Sequence, residues 1–132
     1  MNEYESQVKE FHRAMEMDIN SPYSVDLKLR QKLLNEELAE LNIEIDSLLS
    51  ELQTLGSTTQ ATRARMFKEL ADLQYVLSGM VVALGIPMQE TFRRVHQSNM
   101  SKLVDGHALK REDGKVLKGP NYKPPFLDDL AA

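Results

Sequence analysis

The feature that most constrains the fold is a pair of long apolar seams, in which leucine, isoleucine or methionine recurs at alternating spacings of four and three residues. The first seam consists of Leu34, Leu38, Leu41, Ile45, Leu48 and Leu52, and the second consists of Met66, Leu70, Leu73, Leu77, Met80 and Leu84. An α-helix brings residues at these spacings onto one face. The sequence therefore predicts two long helices that pack together along their seams.

Acidic residues accompany both seams. Glu36, Glu37 and Glu40 lie in the first segment, and Glu69 and Asp72 lie in the second. On helices Glu37, Glu40 and Glu44 fall together on one flank of the first seam, with Glu36 a little further round, and Glu69 and Asp72 share one flank of the second. Packing of the two seams would bring four or five carboxylates within several ångströms. Such a charge density raises pKa values or destabilises the fold unless a cation neutralises it. The pattern predicts a cation site between the two helices.

Hard divalent cations fit a site of carboxylate oxygens, with Mg²⁺ as the first choice and Mn²⁺ as the second. The chain has no cysteine, and no histidine stands three residues after any of these acids. This disfavours zinc and the Glu-x-x-His pattern of di-iron bundles. Because 27% of the residues are charged, a solvated acidic surface is the alternative for either group alone. The two groups together favour the metal site.

The remaining pattern predicts an all-α, four-helix bundle-type fold with a C-terminal tail. We predict helices over residues 3–17, over residues 25–53 after a Ser24 N-cap, from Thr58 or Thr59 to Leu84, and over residues 88–100. Gly56 should end the second helix and Gly85 the third. A length of 132 residues indicates one domain over residues 1–132. It divides into a helical body of about 3–102 and a basic tail of about 103–132.

Composition argues against several functional classes. The net charge of −4 speaks against a general nucleic-acid partner. Absence of cysteine removes disulfides and thiol chemistry. The first five residues lack the basic start and apolar run of a signal peptide, and the apolar run near residues 80–84 is too short to span a bilayer. We expect a cytoplasmic protein without a membrane partner.

Charge changes sign along the chain. Residues 1–92 carry 8 basic and 15 acidic side chains (net −7), whereas residues 93–123 carry 8 basic and 3 acidic ones (net +5). Asp113-Gly114 between two short runs predicts a two-residue hairpin turn, because both turn positions need positive φ. A loosely ordered end is the alternative for such a tail. Its apolar residues favour a tail that packs: Leu109, Val116, Leu117, Tyr122 and Phe126.

The motif Glu36-Glu37-x-x-Glu40, followed after 28 residues by Glu69-x-x-Asp72, resembles the signature of the MazG-like all-α nucleoside triphosphate pyrophosphohydrolases. The resemblance continues through residues 96–102, 105–106 and 113–122, and covers roughly residues 5–127. It points to the phosphoribosyl-ATP pyrophosphohydrolase-like branch, which includes dUTP-hydrolysing members. The resemblance implies Mg²⁺-dependent hydrolysis of a (deoxy)nucleoside triphosphate, such as dUTP or a non-standard nucleotide, to the monophosphate and pyrophosphate.

The same resemblance implies roles for individual residues. The implied metal ligands are Glu36, Glu40, Glu69 and Asp72. Glu37 is either a further ligand or the general base that takes the proton of the attacking water. The implied substrate-binding residues are Asn99, Lys102, Lys118 and Tyr122. A helix-end cap and a surface lysine are the alternatives for Asn99 and Lys102.

Two alternative functions and one expected partner complete the interpretation. A phosphoribosyl-ATP pyrophosphohydrolase of histidine biosynthesis would use the same metal site, whereas a non-catalytic helical module would bind a partner through its seams and need no metal. Family members are usually dimers or dimers of dimers. A lone four-helix chain of this length would also leave part of its seams exposed, so we expect a homodimer or a dimer of dimers.

Overall fold

A computed structural model describes residues 1–132, with the exception of the side chain of Val25. The described chain forms α1 (Glu3–Ala14), α2 (Tyr23–Leu55), α3 (Gln60–Leu84) and α4 (Met88–Met100). The predicted all-α class and its four helices are confirmed. No single helix in the described part of the chain is both long enough and apolar enough to cross a membrane.

The ends of α2 and α3 follow the predicted local signals. Gly56 (φ +76°) and Gly85 (φ +66°) adopt the left-handed conformation after α2 and α3, where a side chain would be strained. Thr59 precedes α3 and its side-chain oxygen accepts a hydrogen bond from the backbone N–H of Thr62. The predicted glycine ends of α2 and α3 are therefore confirmed. Helix α3 begins at Gln60 rather than at Thr58 or Thr59, and Thr59 is its cap.

The structure corrects two other helix ends. The first helix stops at Ala14 rather than residue 17, because Glu16 has a φ of +55° and the N–H of Met17 turns back to the carbonyl of His12 at 2.8 Å. The second helix begins at Tyr23, and Pro22 holds the cap position. Proline suits this position because its φ is fixed and it has no N–H to satisfy. Ser24 consequently lies inside the helix and is not its cap.

The chain contains two compact units, Met1–Ile86 and Pro87–Ala132. In the first unit α3 packs against both α2 and α1, and α2 and α3 form a helical hairpin joined by residues 56–59. The core lies mainly at the C-terminal end of α3, and its buried apolar members are Val8, Leu41, Val81, Val82, Ala83 and Leu84. The predicted single domain over residues 1–132 stays a prediction.

A buried ion pair lies within the first turns of α2. The Nε of Arg30 donates to Asp26 at 2.6 Å, and both side chains are almost fully buried. A Cβ on Gly79 would lie 2.8 Å from the Arg30 guanidinium. Glycine at this position of α3 therefore leaves the room that the buried arginine occupies.

The two apolar seams are only partly covered within one chain. Leu41 and Leu84 are buried, as expected for seams that pack together. Several other seam residues keep between 38% and 51% of their surface exposed: Leu38, Ile45, Leu52, Leu70 and Leu77. Contact within a single chain thus leaves an apolar surface along the α2–α3 hairpin.

In the second unit the last part of the tail is hydrogen-bonded to α4. The apolar residues on which the prediction of a packed tail rested are mostly exposed, by 39% to 65%: Leu109, Val116, Leu117 and Phe126. Ser98 donates its hydroxyl to the carbonyl of Lys123 at 2.7 Å. Arg94 donates to the carbonyl of Phe126 at 3.1 Å and to the carboxylate of Asp129 at 2.6 Å. These bonds fasten the last part of the tail to one face of the helix.

The turn predicted at Asp113-Gly114 is a hairpin loop, but its geometry differs from the prediction. The N–H of Arg111 donates to the carbonyl of Lys115 at 2.8 Å, so the loop contains three residues, and Gly114 has a φ of +89°. Such loops place glycine in the left-handed position after a type I turn. The Asp113 carboxylate accepts from the N–H of Lys115 at 3.1 Å, which fixes the loop from within.

The two-residue turn occurs instead at Asp105-Gly106. Both residues have positive φ, +49° and +76°. On either side, Val104 and His107 exchange two backbone hydrogen bonds of 2.7 and 2.9 Å. This reciprocal pairing across two left-handed residues is the hairpin geometry that the sequence predicted at Asp113-Gly114.

Candidate metal centre

Helices α2 and α3 bring four carboxylates together. The group consists of Glu37 and Glu40 from α2 and of Glu69 and Asp72 from α3, and one oxygen of each lies within 4.8 Å of the others. On both helices the two acids are three residues apart, so they project from the same side. We call this group the four-carboxylate cluster.

Burial within the cluster is uneven. The Oε2 atoms of Glu37 and Glu69 are buried and have no hydrogen-bond partner among the described residues, whereas Glu40 is exposed. A buried carboxylate oxygen without a donor is costly unless a cation neutralises it. The cluster therefore offers only oxygen ligands, which fits a hard divalent cation such as Mg²⁺ or Mn²⁺.

Among the described residues, one cationic side chain touches the cluster. The Nζ of Lys68 lies 2.7 Å from Asp72 Oδ2 and 3.6 Å from Glu69 Oε1. The hydrogen bond to Asp72 and the nearby negative charges raise the pKa of Lys68, so the amine stays protonated. Four carboxylates and one ammonium still leave a formal charge of −3.

The structure brings three of the four sequence-predicted ligands together and adds Glu37 in place of Glu36. The Glu36 side chain is half exposed and lies 4.0 Å from the ammonium of Lys32. Consecutive residues of an α-helix are rotated by about 100°. The rotation of α2 that buries Leu41 turns Glu37, one helical turn away, to the same side and turns Glu36 toward solvent.

Two further contacts across the hairpin set the register of α2 against α3. One turn from the cluster, Arg65 donates to Glu44 at 3.0 Å. Near the connecting loop, Glu51 accepts from the hydroxyl of Thr62 at 2.6 Å and from the hydroxyl and N–H of Thr59 at 2.8 Å each. Polar contacts between α2 and α3 thus occur at several positions from the connecting loop to the four-carboxylate cluster.

Sequence reasoning missed the basic members of this region. Lys68 stands four residues before Asp72, the spacing at which helical side chains meet, so its contact was recognisable from the pattern. The pairing of Arg65 with Glu44 joins positions 21 residues apart and required the helical register to be known.

The predicted substrate-binding residues all lie in the second unit. Lys118 places its ammonium 4.7 Å from the centre of the Tyr122 ring, a cation–π contact. At the end of α4, the N–H of Lys102 donates to the carbonyl of Asn99 at 3.2 Å. The structure therefore pairs these residues with one another, and their role in substrate binding stays a prediction.

Comparison with known protein families identifies the chain. Residues 4–99 match the family described as phosphoribosyl-ATP pyrophosphohydrolase. The chain belongs to this family. The match spans all four members of the four-carboxylate cluster and ends before the basic tail. A search of curated proteins finds no match.

Membership confirms the predicted relationship to the MazG-like pyrophosphohydrolases. The protein is an enzyme, a pyrophosphohydrolase of substrates that resemble nucleoside triphosphates. The acidic cluster is compatible with a divalent metal.

The Glu51 contacts give a pH-dependent prediction for the hairpin. Hydrogen bonds from Thr62 and Thr59 lower the pKa of Glu51 below its ordinary value of 4.5. A depressed carboxyl pKa contributes stability that is present at neutral pH and is lost as pH falls through the folded-state pKa. Thr62→Val should therefore lower the melting temperature at pH 7, and the difference from wild type should shrink below about pH 4.5.

Thermal melts between pH 7 and pH 3 check this prediction. Thr54→Val is the control, because the Thr54 hydroxyl donates to a backbone carbonyl of its own helix, that of Ser50 at 2.9 Å, and not to a carboxylate. Its effect should not vary with pH. A Thr62→Val difference that stays constant down to pH 3 would contradict the assigned role of Glu51.

Proposed function

We propose that the four-carboxylate cluster binds Mg²⁺, with Mn²⁺ as a substitute, and that the enzyme hydrolyses a (deoxy)nucleoside triphosphate to the monophosphate and pyrophosphate. The observation that carries the proposal is the pair of buried, unpartnered oxygens of Glu37 and Glu69 within the cluster. A bound cation would neutralise these buried oxygens. Family membership indicates a substrate with phosphate groups, and such a substrate is a reason for the protein to bind a metal ion at this site.

The chemistry suits this arrangement. A triphosphate repels an incoming nucleophile, and a bound divalent ion would neutralise that charge and orient a water. The chain's own contribution is to hold carboxylates from two helices in one fixed place. Glu37 has two oxygens, so the buried Oε2 can serve as a ligand while Oε1 accepts a proton from the attacking water.

Substitution of single cluster members tests the site. Glu40→Gln and Asp72→Asn should each abolish turnover and the Mg²⁺-dependent rise in melting temperature. The helical fold of Glu40→Gln without Mg²⁺ should be as stable as wild type or more stable, since removing one charge relieves repulsion. Activity assays and thermal melts with and without Mg²⁺ provide the measurement.

Glu36→Gln is the matched control, because Glu36 lies on the same helix outside the cluster. It should keep both turnover and Mg²⁺ stabilisation. If Mg²⁺ stabilised Glu40→Gln and Asp72→Asn as strongly as wild type, the cation would bind elsewhere and the proposed site would be wrong.

A second candidate substrate is phosphoribosyl-ATP, which the family match over residues 4–99 favours. The same metal site would serve both substrates. Pyrophosphate release should be measured across the common nucleoside triphosphates, their deoxy forms including dUTP, and phosphoribosyl-ATP. We expect the highest kcat/KM with a simple (deoxy)nucleoside triphosphate. A clear preference for phosphoribosyl-ATP would instead support the second candidate.

We further propose that a second copy of the chain covers the apolar surface of the α2–α3 hairpin. The exposed seam residues continue the same heptad-like spacing as buried Leu41 and Leu84, so a helical surface of the same kind would complete their burial. A homodimer, or a dimer of such dimers, is the simplest assembly with this property.

Light scattering tests the assembly. Wild type should have a mass of about 30 kDa, twice the 15.0 kDa of one chain, or a multiple of it. Leu77→Glu should weaken the dimer, whereas Leu109→Glu in the tail should not, although the two leucines are 45% and 43% exposed. A stable 15.0 kDa monomer of wild type at micromolar concentration would contradict the proposal.

A further inference from the structure

Lys68 occupies an unusual position for a surface lysine. Its ammonium bonds Asp72 at 2.7 Å and lies 3.6 Å from Glu69, two members of the four-carboxylate cluster. The side chain is otherwise 69% exposed. The ammonium could therefore leave the carboxylates without disturbing the packing of α3.

An ammonium and a divalent ion compete for the same carboxylate oxygens. The protonated amine has no lone pair, so it cannot ligate a metal, and two cations at one carboxylate repel each other. A metal ion that takes Asp72 Oδ2 as a ligand must therefore displace Lys68. The flexible four-carbon stem allows the ammonium to move to another anion nearby.

Charge arithmetic indicates which anion that would be. The four carboxylates carry a formal charge of −4, so two divalent ions would only neutralise them. A triphosphate carries further negative charge that the neutral site would not offset. Lys68, displaced but still attached beside the cluster, supplies positive charge where the phosphates must lie.

Arg65 illustrates the difference between a fixed and a releasable cation. It also lies one turn from the cluster, but its guanidinium is held by Glu44 at 3.0 Å and by the hydroxyl of Thr62 at 2.9 Å. Neither partner belongs to the four-carboxylate cluster. Metal binding at the cluster would thus leave Arg65 in place and release Lys68.

We propose that Lys68 is a substrate-binding residue, whose ammonium is displaced from Asp72 by the divalent ion and then binds a phosphate of the nucleotide. This inference rests on the metal site under Proposed function and adds a residue to it. Lys68 thereby serves as counter-ion to the acids before the metal binds and as counter-ion to the phosphates afterwards.

Lys68→Gln tests both parts of the proposal. Isothermal titration should show Mg²⁺ binding about two- to fivefold tighter than in wild type, because the competing cation is gone. At saturating Mg²⁺, KM for the best nucleotide should rise about tenfold with a smaller change in kcat, because a charge-assisted phosphate contact is lost. Lys68→Arg should have a KM close to that of wild type.

Lys32→Gln is the matched control. Lys32 is 73% exposed and faces Glu36 four residues on, at 4.0 Å, so it has the same helical pairing outside the cluster. Its substitution should change neither Mg²⁺ affinity nor KM. If Lys68→Gln behaved like Lys32→Gln, or tightened Mg²⁺ binding without raising KM, the proposal would be overturned.

Failure of the metal site itself would look different. In that case wild type would bind no Mg²⁺, or Glu40→Gln would bind it as wild type does. Both results are obtained before Lys68 is changed, and either one would overturn the metal site together with the role of Lys68. Normal Mg²⁺ binding by wild type and its loss in Glu40→Gln leave Lys68 as the only point in question.

Discussion

The packing of α2 against α3 holds four like charges within 4.8 Å of one another, and the rest of the site depends on this arrangement. Mutual repulsion of carboxylates opposes it. Burial of Leu41 and the C-terminal end of α3, together with the Glu44–Arg65 and Glu51–Thr62 contacts, favours it. The hairpin therefore holds carboxylates whose mutual repulsion a bound cation would relieve.

Such an arrangement suits a pyrophosphohydrolase, because phosphoryl transfer does not require the protein to form covalent bonds with the substrate. Catalysis of this kind depends on positioning and on neutralising charge. Two packed helices can provide the positioning, and a cation bound by their acids can provide the neutralisation. The basic tail lies beyond the family match at residues 4–99.

Much of this fold could be predicted because its signals are local. Heptad-like spacing and the glycines at Gly56 and Gly85 depend only on neighbours along the chain. The grouping of the acids from two segments followed from the same periodicity. The periodicity also placed Glu37 beside Glu40 and Glu36 further round the helix, because adjacent residues differ by a rotation of about 100°. Glu36 was expected as a ligand only from the family resemblance, and the structure agrees with the periodicity instead.

In the tail the local sequence signals were not sufficient to predict the structure. Asp105-Gly106 and Asp113-Gly114 carry identical turn chemistry, yet only the first forms the two-residue turn. The second becomes a three-residue loop because side-chain bonds from Asp113 to Arg111 and Lys115 stabilise a different backbone. The sequence predicted the turn at Asp113-Gly114 but not the one at Asp105-Gly106, and the length of the loop depended on contacts that a dipeptide does not specify.

The central claim is that a divalent ion binds at the four-carboxylate cluster. Anomalous X-ray diffraction from crystals grown with Mn²⁺ locates such an ion directly, since manganese substitutes for magnesium at oxygen sites. The account predicts an anomalous peak within coordination distance of oxygens from both helices, Glu37 among them. A peak elsewhere in the protein, or one held by Glu36 with Glu37 turned away, would contradict it.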